Sequence, residues 1–295
     1  MLFEKNELLN MQNNGIKRIR VLMLGDIVGA SGRAMFQKHA PRLKRELEAD
    51  AIVVNGENSS AHGRGITSKI VKSLRHCGAD VVTSGNHIWQ NKEIYHYIDQ
   101  NTDLLRPENF PGGVPGKGVT TFECKGFAVA VVNLQGRVFM KEHIDCPFRC
   151  AESILAYLKH KTPIVLVDFH AETTAEKMAL GHFLDGKVTA VVGTHTHVQT
   201  ADQRVLPGGT AFVSDLGMAG ALNGMLGQKK EPIIEHFIKQ MPTKFVVDLE
   251  PPYVLSGVSI DIDVSTGKAI DIKPIRVIDE DLHVEKEDEE EKKRY

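Results

Sequence analysis

Five apolar runs in this chain each stop at residues that can bind metal. Gly25-Asp26 follows residues 21–24, Asn55-Gly56-Glu57-Asn58 follows 52–54, and Ser84-Gly85-Asn86-His87 follows 81–83. Asp168-Phe169-His170 follows 164–167, and Gly193-Thr194-His195-Thr196-His197 follows 190–192. A single histidine after a strand is more often a satisfied polar group than a ligand, but five such coincidences argue for one shared site. Carboxylate, amide and imidazole without thiolate suit hard or borderline divalent ions such as Mn, Fe or Zn, not a structural zinc site. His195 and His197 stand at alternate positions of an irregular loop and can face different ions. A carboxylate such as Glu57 can join two ions through its two oxygens. The pattern therefore points to two metals.

These residues need a scaffold that brings distant strand ends together. From residue 19, short β-rich apolar runs at 20–24, 51–54 and 80–83 alternate with helical patterns at 35–47 and 70–77, an order that predicts a largely parallel sheet. A Gly/Pro-rich loop at 109–118 precedes strand-like runs at 119–123 and 127–132, which only Lys125 and Gly126 separate, so a hairpin is expected. Helix at 151–159, strand at 164–168, helix at 175–183 and strand at 188–192 repeat the first half. Residues 210–214, 244–249, 255–264 and 269–277 read as antiparallel strands of a mixed second sheet, with helices flanking the two stacked sheets. In such a fold the C-terminal strand ends line a common crevice. The expected organisation is an N-terminal extension over 1–18, a catalytic domain over 19–278 and a charged tail over 279–295, whose run at 285–294 has almost no apolar residue.

Composition narrows the function classes. With 36 Lys+Arg against 38 Asp+Glu there is no global field to attract nucleic acid or an anionic membrane, so RNA binding is not indicated. Cys77, Cys124, Cys146 and Cys150 form no CxxC pair and no disulfide framework, which suits a reducing cytoplasm. No apolar run is long enough to span a bilayer. A homo-oligomer is expected on base rates alone.

The blocks resemble those of the calcineurin-like metallophosphoesterases, which carry a Gly-Asn-His block, a lone His and a Gly-x-His-x-His block. They are more narrowly similar to the YmdB family of bacterial phosphodiesterases, through Gly25-Asp26-Ile27-Val28-Gly29, Asn55-Gly56-Glu57-Asn58, Gly85-Asn86-His87-Ile88-Trp89 and Arg106-Pro107-Glu108-Asn109-Phe110-Pro111. Asp168-Phe169-His170-Ala171-Glu172 and the run from Val192 to Asp202 extend the match to about residues 19–277. Two departures from the wider superfamily favour this narrower likeness: Asp26 is not followed by the usual Asp-x-His imidazole, and Glu57-Asn58 stands where an Asp is usual. The resemblance implies a four-layer α-β-β-α sandwich of two mixed sheets. It also implies a first metal on Asp26, Glu57, Asn58 and His197 and a second on Glu57, Asn86, His170 and His195. Iron or manganese is the implied pair, with zinc or magnesium compatible.

Two cations sharing a water lower its pKa towards neutrality and stabilise charge on the phosphoryl oxygens, so the expected reaction is attack of a bridging hydroxide on phosphorus. His87, beside Asn86 but outside the ligand set, is the expected general acid for the leaving alkoxide; the plainer role for it is packing against Trp89. Arg64, Arg106, Asn109 and Arg137 could contact phosphate or make ordinary loop hydrogen bonds. Asp168 could orient His170, and Asp202 could support the His-x-His loop. The substrate class implied by the resemblance is a small phosphodiester, a 2′,3′-cyclic or 3′,5′-cyclic nucleotide. A nucleotidase-type phosphomonoesterase and a metal-dependent regulatory or RNA-associated binding protein are the competing readings.

Overall fold

The computed structural model describes residues 17–284. In chain order, β1 (Arg18–Leu24), the two-residue β2 (Asp26–Ile27), helix α1 (Gly29–Glu46), β3 (Ala51–Asn55), α2 (Ser68–His76), β4 (Val81–Thr83) and α3 (Ile94–Gln100) form the first half. The hairpin β5 (Val119–Cys124) and β6 (Phe127–Gln135) leads to α4 (Pro147–Leu158), β7 (Ile164–His170), α5 (Thr174–Phe183) and β8 (Ala190–Thr194). Short strands β9 (Arg204–Val205), β10 (Ala211–Val213) and β11 (Met218–Ala221), helix α6 (Lys230–Lys239), and the long pair β12 (Tyr253–Asp263) and β13 (Ala269–Asp279) complete it.

The strands make two mixed sheets. The first has the order β2-β11-β12-β1-β3-β4 with β13 on β12, and the second β5-β6-β7-β8-β10-β9. Side chains alternate across each strand, which explains why the apolar runs are continuous: both faces are covered. Val21 and Met23 of β1 meet Val129, Leu166 and Val192 of the second sheet in one buried layer. Leu22 and Leu24 face the opposite way, onto Met35, Phe36 and Leu43 of α1 and Leu74 of α2. On the far side, Val132, Val167 and Phe212 pack against Ile154 of α4 and Leu180 of α5. The result is the expected α-β-β-α sandwich, and β1, β3 and β4 run parallel, as do β6, β7, β8 and β10.

Four local expectations need correction. Residues 244–249 form no strand; only Val247 makes an isolated bridge, to Gln228. β10 is antiparallel to β9 as expected but runs parallel to β8 on its other edge. The long strands β12 and β13 join the first sheet, because β12 pairs with β1 along all of Arg18–Leu24. Helix α1 begins at Gly29, six residues before the apolar periodicity suggests, with Val28 at its N-cap and no side-chain cap to announce the start. The Lys125-Gly126 hairpin is present, and both residues have positive φ (50° and 82°), the requirement of a tight two-residue turn matching strand twist. β1 begins at Arg18 and β13 continues through Asp279, with Leu282 and Val284 packed on the helical core; residues 1–16 and 285–295 of the two expected tails lie outside the described residues.

Candidate metal centre

Each sequence-selected side chain lies at or just beyond the C-terminal end of a strand, with β1, β3 and β4 contributing from one sheet and β7 and β8 from the other. Asp26 lies in β2 and His170 closes β7, both fully buried. Glu57 and Asn58 follow β3, Asn86 and His87 follow β4, and His195 and His197 follow β8. All eight meet. His170 Nε2 lies 3.1 Å from Asn86 Oδ1, 3.1 Å from His195 Nδ1 and 3.8 Å from Glu57 Oε1. On the other side, His197 Nε2 lies 2.8 Å from Asn58 Nδ2 and 3.7 Å from Asp26 Oδ1. The His195 N–H donates to Asp26 Oδ2 at 3.1 Å and ties the sides together. The chain backbone must come very close to do this: Gly85 lies flush on the His170 ring, where any Cβ would collide with it. His195 and His197 both have positive φ (95° and 64°), a costly conformation for a side chain of this size and one that collects at functional sites.

The imidazoles are aimed. Thr194 Oγ1–H donates to Asp168 Oδ1 at 2.7 Å, so towards His170 Nδ1, 3.1 Å away, it acts as acceptor. That fixes the proton on Nδ1 and leaves the Nε2 lone pair facing the centre. His195 Nε2 bonds Glu172 Oε2 at 2.9 Å, and His197 Nδ1–H donates to the Leu226 carbonyl at 3.1 Å, so each also turns its other nitrogen inward. The lone pairs of His170 Nε2 and His195 Nδ1 thus confront each other at 3.1 Å, which is favourable only with a proton or a cation between them. Burial lowers the pKa of both rings, so a proton is the poorer solution. Two donors about 2.1 Å from one ion stand about 3.0 Å apart at a right angle, matching these separations. Among the described residues no group of three or more His, Cys, Asp or Glu is already arranged to hold a metal ion, and two of the candidate donors, Asn58 and Asn86, are amides. The donor set fits divalent cations.

The acidic residues point the same way. Asp26 Oδ1 is buried and has no hydrogen-bond partner among the described residues. Burial, with the nearby charges of Asp215, Asp168 and Glu57, raises the Asp26 carboxyl well above the usual range despite the His195 amide. Burial pushes the Glu57 carboxyl up to about 8, although it accepts the Gly85 and His87 amides, and pushes Asp168 up to about 6. Carboxylates that cannot comfortably ionise next to imidazoles that cannot comfortably protonate are what a cation would reconcile.

His87 stands beside this cluster. Its Nδ1 lies 3.0 Å from Asn58 Oδ1 and 3.4 Å from Glu57 Oε1, whereas Trp89 packs edge-on against Tyr95 and Phe110. A cavity of about 320 Å³ opens over Asn86, His87 and His195, with Arg64 and Lys141 on its wall. A larger hollow of about 470 Å³ beyond His197 is mostly apolar, lined by Val198, Met218, Leu222 and Leu226. The smaller one is bordered by Asn86, His87 and His195 of the candidate site.

For the supporting residues the structure chooses between the roles that the sequence leaves open. Asp168 acts on His170 through Thr194, while also accepting from Asn55 at 2.9 Å and from Thr83. Asp202 latches Thr200 and Ser214, not the histidines. Arg106 donates to the carbonyls of Pro115 and Pro107, and Asn109 bonds Gln135 and Asp145, so both hold loops. The buried pair Lys177 and Asp215 (2.8 Å) escaped sequence reading, because neither residue stands in a motif. Asp215 also accepts from the Thr196 amide and hydroxyl (3.2 and 2.6 Å) and the Gly217 amide (2.8 Å), and thereby clamps the residue between the two histidines.

The chain is similar to known proteins along most of its length. The sequence signature of the YmdB-like protein family matches residues 22–275. The 2′,3′-cyclic-nucleotide 2′-phosphodiesterase of Bacillus subtilis is 48% identical over 267 residues, 90% of this chain and 100% of that protein. The crystal structure of a novel phosphatase from Mycoplasma pneumoniae superposes with a TM-score of 0.84 at 34% identity, covering 90% of this chain and 95% of that one. A Staphylococcus aureus protein provisionally named a 5′-nucleotidase shares the fold at a TM-score of 0.60 and 14% identity, over 94% of this chain and 58% of its own. Among the described residues no helix is long and apolar enough to cross a membrane.

Proposed function

The chain belongs to the YmdB-like protein family, and from that premise we propose that it is a dinuclear-metal-dependent phosphodiesterase that opens 2′,3′-cyclic or 3′,5′-cyclic nucleotides. It is a hydrolase of phosphoric esters, in keeping with its relatives. The observation that carries the metal dependence is the pair of inward lone pairs on His170 and His195 beside the unpartnered Asp26 oxygen. Asp26, Glu57, Asn58 and His197 would hold one divalent ion and Glu57, Asn86, His170 and His195 the other, with iron or manganese favoured. Bound there, the cations supply a lowered water pKa and electrophilic stabilisation of the phosphoryl oxygens.

The chain's own residues supply the rest. Arg64 and Lys141 on the cavity wall attract and orient the phosphodiester anion. His87 delivers the proton to the departing alkoxide from Nε2, because Nδ1 is taken by Asn58. Burial first, then the positive groups Arg64, His195, His197 and Lys141, holds the His87 imidazole down to about 4; a bound phosphodiester anion would offset the charged groups and favour the protonated imidazole that this role requires. Parallel assays of 2′,3′-cyclic AMP, 3′,5′-cyclic AMP and the corresponding mononucleotides, with elemental analysis of the same sample, test the proposal. Diester turnover with two metals per chain is expected, whereas activity on monoesters alone would overturn it. His87→Ala should lower kcat by about 10²- to 10⁴-fold with metal content unchanged.

A further inference from the structure

The loop between β6 and α4 places an aromatic ring where folding gives no reason for one. Arg137 to Met140 form a turn closed by the Met140 N–H donating to the Arg137 carbonyl (3.3 Å), and the third residue of that turn is Phe139, with φ +60°. Such a position ordinarily goes to Gly or Asn, and bulky residues rarely adopt it. The Phe139 side chain is 86% exposed, so it contributes little to the core. The turn is nevertheless held rigidly. Both oxygens of buried Glu176, in the first turn of α5, accept the Arg137 amide (3.0 and 3.1 Å), and Oε2 also accepts the Val138 amide (3.1 Å). At the other end, Gln135 Nε2 donates to Glu142 (3.0 Å). A strained, exposed aromatic on an anchored turn is a presented group.

What it is presented to is the cavity over the metal ligands. Phe139 lines that cavity together with Asn86, His87, His195, Arg64 and Lys141. One part is cationic and reactive, and another is an exposed aromatic face. That division suits a molecule with an anionic phosphate joined to a flat, apolar-faced ring, which is the chemistry of a nucleotide. We propose that Phe139 is the stacking platform for the nucleobase of the substrate and makes the enzyme prefer nucleoside cyclic phosphates over base-free cyclic phosphodiesters. The inference rests on the phosphodiesterase reading of the site and adds its substrate determinant. Stacking is tolerant of base identity, so purine and pyrimidine substrates should both benefit.

The test compares 2′,3′-cyclic AMP with glycerol 1,2-cyclic phosphate, which has no base, using wild type, Phe139→Ala and Phe139→Trp as metal-loaded full-length proteins. In Phe139→Ala the kcat/KM preference for the nucleotide should fall by about tenfold, mainly through KM, and Phe139→Trp should retain it. Titration calorimetry with adenosine 3′-monophosphate should show the same order of binding. An unaltered preference in Phe139→Ala would overturn the inference while leaving the phosphodiesterase reading intact. Loss of preference in Phe139→Trp equal to that in Phe139→Ala would also overturn it, since loop geometry and not stacking would then be responsible. If wild type cleaves no phosphodiester, the reading of the reaction fails, and the calorimetry still decides the stacking.

Discussion

The two sides of the ligand cluster are built to different standards. On the His170 side, the chain Asp168–Thr194–His170 is buried throughout, the proton position is fixed, and Gly85 lies flush against the ring. On the Asp26 side, one carboxylate oxygen has no partner, the amide of Asn58 is shared between His87 and His197, and His197 hangs from the carbonyl of half-exposed Leu226. Preorganisation is thus concentrated where the imidazoles come in a pair, and the side lacking the second imidazole beside Asp26 depends on groups that can move. A ligand oriented by buried neighbours costs less to order when the ion arrives than one oriented by a surface carbonyl. Graded chelation should therefore remove one equivalent of metal well before the other.

The harshest test of the comparison is the residue that both sides share. Glu57→Gln should reduce activity by about 10³-fold or more, the scale of losing a preorganised electrostatic group, and should lower metal content on both sides. The same substitution has a signature without metal. Burial raises the folded-state pKa of Glu57 from 4.5 to about 8, so between those values the folded protein binds more protons than the unfolded chain. The contribution is fully present below pH 4.5 and is lost as pH rises through about 8. Chelator-treated wild type should consequently lose thermal stability across that window. In Glu57→Gln the decline should be flatter, with a remainder from Asp26 and Asp168, whose pKa values are also raised. Equal slopes in the two proteins would show that Glu57 is not the strained group.

Next in size is Thr194→Val, which keeps the shape but leaves the His170 Nδ1–H and Asp168 Oδ1 without their shared hydroxyl. Second-layer losses of this kind cost about 10- to 100-fold in metal affinity. The effect should fall on one equivalent only and should invert the order of chelation. If both equivalents weaken together, the sides are a single unit and the comparison fails.

Much of the site was legible from sequence because it obeys a rule of position. Asp26, Glu57, Asn86, His170 and His195 sit at or just after strand ends, and parallel strands bring their ends together whatever lies between them. The core was legible for a related reason, since runs such as residues 51–54 and 164–167 are apolar on both faces. What was not legible depended on partners with no periodicity or motif. Nothing near Lys177 or Asp215 in sequence indicates that they pair beneath Thr196. Thr194 has no role in the sequence pattern beyond its place between Gly193 and His195, yet it sets the His170 tautomer. For Arg106 and Asn109 the sequence leaves phosphate contact and loop hydrogen bonding equally open, and the structure shows the second, with both side chains bonded to carbonyls of their loops. The run at 244–249 has strand-like composition but pairs only at Val247.

The smallest effect gives the finest discrimination. His195 is the proposed ligand at which the buried side meets solvent: its outer nitrogen is held by Glu172, which is 47% exposed. An exposed ion pair is worth little after solvent screening, so Glu172→Gln, which retains a hydrogen-bonding oxygen, should change metal affinity by no more than about fivefold. Raising the salt concentration should mimic part of the substitution in wild type and do nothing further in the variant, because screening acts on the charge that has been removed. The contrast with Thr194→Val is the informative quantity. Both residues hold the outer nitrogen of a histidine on the same side, at similar distances, and differ mainly in burial. If Glu172→Gln costs as much as Thr194→Val, orientation alone governs the site and burial adds nothing. If it costs far less, the low dielectric around Asp168, Thr194 and His170 is what makes this side the stronger one.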